Sequence, residues 1–264
     1  MLWSTKKFRG YHIHATDGNI GKVEDMLFDD RHWTYRHAVV DTGSWLPGRT
    51  VLLPPSSIGR PDSQNKVLPV SLTKKQVDDS PPLSTDEPVS RRHETKLYEF
   101  YGLEPYWVGG IAGGEFPPPL SESEEFEKSQ KPLKSVGTAT EGDPDLRSCN
   151  EVIGYHIQAT DGEIGHVSDL IVDDDGWIVR YIAVDTRNWM PGREVLIAVN
   201  WVKKVSWEDS KVFVDLPLEK IADSPEWEPG SPVSREYEKS LYEYYSRPGY
   251  WVRSTGSTEP AQNK

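Results

Sequence analysis

The chain has 264 residues, a formal net charge of −12 and one cysteine, Cys149. That length suits two ordinary domains better than one, and a lone cysteine excludes an intrachain disulfide. Along the sequence the charge divides as −1 over residues 1–115, −3 over 116–150 and −8 over 151–264, which disfavours nucleic acid as a partner, because tracking phosphates needs a basic face.

In chain order, Met1 to Gly10 carries two lysines and no following apolar run, and no stretch approaches the ~18 consecutive apolar residues of a membrane span. The expectation is a soluble, cytoplasmic chain. Residues 10–21, Gly-Tyr-His-Ile-His-Ala-Thr-Asp-Gly-Asn-Ile-Gly, match residues 154–165, Gly-Tyr-His-Ile-Gln-Ala-Thr-Asp-Gly-Glu-Ile-Gly, at an offset of 144. The match continues without a gap, with 42 of 99 positions identical between 10–108 and 154–252, so the sequence is duplicated. In each copy an alternating run meets Asp17-Gly18 or Asp161-Gly162, which predicts a hairpin turn and a returning strand over 20–28. A third strand is expected at Trp33–Asp41 and Trp177–Asp185, a fourth at Val51–Leu53 and Val195–Ile197, and a fifth at Val67–Leu72 and Val212–Leu216. Short strands joined by tight turns favour closure into a small barrel.

Each copy ends in a tail. Ser90 and Ser234 stand as helix N-caps before Glu94-x-x-Leu97-Tyr98-x-x-Tyr101 and Glu238-x-x-Leu241-Tyr242-x-x-Tyr245, an amphipathic spacing with an aromatic stripe. Tyr106-Trp107 and Tyr250-Trp251 close the tails. The expected organisation is a mainly β chain: repeat 1 with its helical tail over 1–114, a Pro- and Glu-rich linker over 115–150 that includes Cys149, repeat 2 with its tail over 151–253, and a disordered end over 254–264. The tail helix is free, on this reading, to lie on its own barrel or to reach across to the other as an internal pseudo-twofold dimer.

The motif Gly-Tyr-x-Ile-x-Ala-Thr-Asp-Gly-x-Ile-Gly, a strand ending in Asp-Asp, and Val-Asp-Thr-x-x-Trp-Leu/Met-Pro-Gly-Arg occur twice, and they resemble the PRC-barrel family over residues 10–80 and 154–224. The resemblance implies two small β-barrels in tandem that serve as interaction modules and are not enzymes. It also brings to mind the photosynthetic reaction-centre H subunit and the ribosome maturation factor. The chain lacks the membrane-spanning helix of the first and the N-terminal domain of the second, so neither role carries over. Three readings follow: a scaffold whose repeats pair with each other or with a protein partner, an accessory of an electron-transfer membrane complex docking peripherally, and, less favoured by charge, a ribosome-associated factor.

The residues carry no complete catalytic or cofactor signature, and no catalytic, cofactor or metal site is expected. His12 and His14 share a strand face, but Gln158 replaces His14 in the second copy. Of the repeated carboxylates Asp25, Asp29, Asp41 and Asp169, Asp173, Asp185, most are explained by turns: Asp29 and Asp173 sit at chain reversals, and Asp41 and Asp185 close a strand. The pair Arg91 and Arg92 reads as solvated charge. Candidate interaction residues are Trp45 and Arg49 with their copies Trp189 and Arg193, and the tail aromatics Tyr98, Tyr101, Trp107, Tyr242, Tyr245 and Trp251. For the loop the alternative is structural: Trp45 capping a barrel end and Arg49 pairing with Asp41.

Overall fold

The structure, a computed structural model, describes residues 1–81, 89, 91–106, 146–186 and 193–252. The first repeat runs β1 (Leu2–Ser4), α1 (Thr5–Phe8), β2 (His12–Ala15), β3 (Gly18–Asp29), β4 (Thr34–Asp41), β5 (Thr50–Leu53), a 3-10 turn at Pro55–Ser57, β6 (Val67–Pro69), α2 (Lys74–Asp78) and α3 (Arg91–Tyr101). The second runs β7 (Leu146–Ser148), α4 (Cys149–Val152), β8 (His156–Gln158), β9 (Glu163–Asp173), β10 (Ile178–Asp185), β11 (Glu194–Ala198), a 3-10 turn at Val199–Trp201, β12 (Val202–Ser206), β13 (Lys211–Val214), α5 (Leu218–Ala222) and α6 (Arg235–Tyr244). The predicted hairpins and third and fourth strands are present at these positions; the fifth is shorter than expected in both repeats.

Local chemistry explains the hairpins. At the β2–β3 turn, Asp17 Oδ1 accepts the Lys74 backbone N–H at 2.7 Å, and Asp161 does the same for Leu218 at 2.7 Å. One residue thus shapes the turn and satisfies a free donor of the short helix lying over it. Beyond the turn, Gly21 has φ +149° and a Cβ placed on it would fall 2.1 Å from the Asp41 carbonyl oxygen. Only glycine lets β3 pass the end of β4 that closely, and Gly165 repeats the arrangement against Asp185.

Among the described residues the strands do not form two separate closed barrels. They join one 13-stranded sheet whose continuous path is β12-β13-β8-β9-β10-β4-β3-β2-β6, with β1, β11, β5 and β7 pairing off it. Within the second repeat, β11 and β12 are consecutive and turn through Val199–Trp201, so the sheet curls by a chain corner while its hydrogen bonds stay open. The two repeats join in the sheet where β4 meets β10, and a segment read as linker adds further pairing between them. Residues 146–152 form β7 and α4, which correspond at the 144 offset to β1 and α1, and each of these strands pairs with the other repeat.

One hydrophobic core runs through both repeats and includes Phe8, Phe28, Tyr35, Val152, Trp177 and Tyr181. Each tail helix lies on its own repeat: His37 of β4 meets Glu94 of α3, and Tyr181 of β10 meets Glu238 of α6. Ser234 caps α6 by accepting from Tyr237 N at 3.1 Å, whereas Ser90 and its cap lie outside the described residues, as do the middle of the expected linker and the C-terminal end. No helix among the described residues is long and apolar enough to cross a membrane.

Candidate functional site

The polar groups that the two repeats contribute jointly lie along the seam between them. β1 pairs antiparallel with β9, Leu2 opposite Asp173 and Ser4 opposite Ile171, and β7 pairs antiparallel with β3, Leu146 opposite Asp29 and Ser148 opposite Leu27. Adding 144 to the β1 residue and subtracting 144 from its β9 partner converts one set of pairs into the other, so the exchange is reciprocal about a pseudo-twofold axis. On that axis β4 meets β10 at Thr34 and Ile178. Tyr35 N donates to Trp177 O at 2.8 Å, and Val179 N donates to Trp33 O at 2.7 Å.

Those two carbonyls belong to unusual residues. Trp33 has φ 54° and Trp177 φ 52°, the left-handed region that a bulky side chain seldom occupies. Such a conformation costs about 1–3 kcal/mol and persists only where its surroundings fix it. Here Trp33 stacks on Phe28 at 5.3 Å and Trp177 packs on Phe8 of the opposite repeat at 6.0 Å.

Two carboxylates, Asp169 buried and Asp25 half-buried, clamp the exchanged segments. Asp169 accepts the Ser4 hydroxyl and Lys6 N, and Asp25 accepts the Ser148 hydroxyl and Asn150 N. Burial raises the pKa of both above the usual carboxylate value, against the opposing pull of those hydrogen bonds. Asp25 and Asp169, to which the sequence assigned no specific role, lie inside strands and hold the other repeat's N-terminal segment. Asp29 and Asp173 do serve turns, accepting from Arg31 N and His32 N at 3.1 and 2.7 Å and from Asp175 N at 3.2 Å. Cys149 is likewise not a linker residue. It is fully buried 3.3 Å from the Tyr35 hydroxyl, and burial pushes its thiol up.

The predicted interaction residues are dispersed across both repeats. Arg49 does not pair with Asp41; its guanidinium donates to the Asp78 carbonyl at 2.5 Å and to the Ser80 carbonyl, while Asp41 accepts from Gly43 N. Arg193 reaches the equivalent Ser224 carbonyl. Trp45 is half-buried with the Lys74 ammonium 4.9 Å from its ring centroid; Trp189 and Trp107 lie outside the described residues. Tyr98, Tyr101 and Tyr242 are buried, and burial drives the Tyr101, Tyr242 and Tyr245 hydroxyls up to about 12. Trp251 packs on Tyr242 at 5.0 Å. These aromatics hold the tails to the sheet.

Two further groups went unread in the sequence. Arg91, expected in solvent, is buried and pairs at 2.9 Å with Glu94, which also accepts from Tyr106 at 3.2 Å. Glu238 repeats this with Arg235 at 2.9 Å, Tyr250 at 2.8 Å and Tyr181 at 2.6 Å. The identity of Asp25, Trp33, Glu94 and Ser4 with their copies was the available signal. His12 Nδ1 lies 3.3 Å from Asn19 Nδ2, and no group of three metal-ligating side chains occurs among the described residues.

Residues 144–221 match the family model of the PRC-barrel domain. This segment is a PRC-barrel domain. The matched region begins just before β7 and ends in α5, so the exchanged strand lies inside the PRC-barrel unit. A comparison with curated proteins finds no match.

Proposed function

We propose that the chain is a non-catalytic protein-interaction scaffold in which the first repeat is a second PRC-barrel, locked to the domain at 144–221 as one platform. The observation that supports this is the reciprocal exchange of β1 and β7. The strongly placed polar groups of the seam, Asp25, Asp169, Ser4 and Ser148, are spent on holding backbone and one another. Pairing of the repeats is internal, so an outside partner meets the outer surface, and the −8 charge of residues 151–264 suits a basic one. A narrower form of the same reading is a cytoplasmic accessory that docks peripherally on an electron-transfer membrane complex.

The test immobilises the intact chain beside a seam variant, Asp25→Ala with Asp169→Ala, checked by circular dichroism for retained strand content. Proteins recovered by the intact chain and lost with the variant support a platform that needs both repeats. Membrane co-sedimentation that washes off in salt selects the accessory form. Recovery that is equal for both baits, or a predominantly ribosomal set, contradicts the proposal.

A further inference from the structure

On the pseudo-twofold seam a cleft of about 260 Å³ opens between the repeats. The β3–β4 turn of the first repeat contributes Arg31, His32 and Trp33; the second contributes Arg180, Asn200 and Tyr250. Neither repeat forms it alone. In a protein of net charge −12 this lining is basic. Arg31 is exposed, and its guanidinium makes no hydrogen bond or ion pair among the described residues. Arg180 lies on the Tyr250 ring at 4.2 Å and gives Nε and Nη2 to Asp173 at 3.3 and 3.1 Å, which leaves Nη1 uncommitted. His32 Nδ1 faces the Asp29 carboxylate at 3.1 Å, so Nδ1 carries the proton and Nε2 is the free ring atom.

The acids nearby are already paired. Asp173 and Asp174 meet Arg180 and the N-terminal ammonium, Asp29 meets Arg36, and Asp30 meets Arg147. The excess charge is therefore that of Arg31, close to +1. At the pseudo-symmetric place Arg31 and His32 become Asp175 and Gly176, so the basic lining exists on one side only.

We propose that this cleft binds a carboxylate side chain of a partner polypeptide together with an adjacent apolar group, the carboxylate on Arg31 and Arg180 Nη1 and the apolar group against Trp33. The volume suits one or two side chains and falls short of the ~300–1,000 Å³ of sites for whole small molecules. One excess positive charge matches a carboxylate better than a phosphate dianion, and Arg with aromatic neighbours is the composition of a binding hot spot. The inference rests on the interaction reading above and adds to the acidic outer surface one local spot that takes an acidic side chain of the partner.

The experiment titrates the capped dipeptide acetyl-Glu-Phe-amide, its Gln-Phe twin and inorganic phosphate into the isotope-labelled intact chain, following amide resonances of residues 31–33 and 200. The Glu peptide is expected to shift them saturably, with the Gln twin and the Arg31→Ala variant each weaker by about tenfold, the worth of one charge-assisted hydrogen bond. Asp175→Ala, at the pseudo-symmetric position, leaves the titration unchanged. Absence of saturable shifts, equal binding of the Glu and Gln peptides, an unaltered Arg31→Ala titration, or tighter binding of phosphate would overturn the site. A failed titration with the repeats still paired in sedimentation removes this cleft and leaves the scaffold reading standing.

Discussion

At Arg49 a single guanidinium ties the loop after β4 to the C-terminal end of α2, through the Asp78 and Ser80 carbonyls. Replacing it with alanine leaves the part-buried Ser80 carbonyl without its donor while the exposed Asp78 carbonyl turns to water, so Arg49→Ala is expected to cost about 1 kcal/mol in urea unfolding; a change below a few tenths would return the residue to the binding surface. The sequence supplied the residue and a structural use for it with the wrong partner: in place of Asp41 the guanidinium meets Asp78, 29 residues away, at both its carbonyl and its carboxylate, and the Ser80 carbonyl, and main-chain acceptors are announced by no side-chain pattern. Asp25 and Asp169 make a second prediction. Burial holds both above the ordinary 3.8 in the folded chain, so the folded state binds their protons more tightly than the unfolded state does. Their contribution to stability is greatest below that value and falls as pH rises through the folded pKa. The stability of the wild type relative to Asp25→Asn/Asp169→Asn is thus expected to decline from about pH 4 to pH 7. A difference that stays flat, or rises, across that range would contradict the burial argument.

Among the elements, β1 and β7 matter most and were the least legible. Each is three residues long, too short to show the alternation by which the hairpins were read. In addition, Leu146–Ser148 follows a Pro- and Glu-rich stretch whose composition masked it. The identities Leu2 with Leu146 and Ser4 with Ser148 continue the 144 offset past the point where the aligned repeat was taken to begin. The hairpins and tail helices were legible because their signals are local: Asp-Gly turns, alternation, and Leu and Tyr at three- and four-residue spacing. Deleting residues 1–9 should expose the edge of β9 and remove Phe8 from the shared core, where it is fully buried. Loss of a buried phenylalanine alone costs about 3–5 kcal/mol, and a bare strand edge invites self-association. The truncated chain is expected to melt lower and to form larger species in size-exclusion chromatography; a monomer of unchanged melting temperature would mean β1 is dispensable.

For the whole molecule, the duplication was plain in the sequence and its spatial consequence was not, since an offset says that two units are alike without saying how they meet. Of the two placements open to the tail helices, the structure has each on its own repeat, and contact between repeats is made by the N-terminal strands with Trp33 and Trp177 on the axis. A repeat that donates a strand to its neighbour is complete only in pairs, and both copies carry the strand and short helix that make the exchange, at Leu2–Phe8 and Leu146–Val152. The most direct test places a protease site between residues 115 and 140, cuts the purified chain there, and follows the product by sedimentation velocity at micromolar concentration. The two halves are predicted to travel as one particle with the sedimentation coefficient of the uncut protein; halves that separate into two slower species would contradict the reciprocal strand exchange on which the account rests.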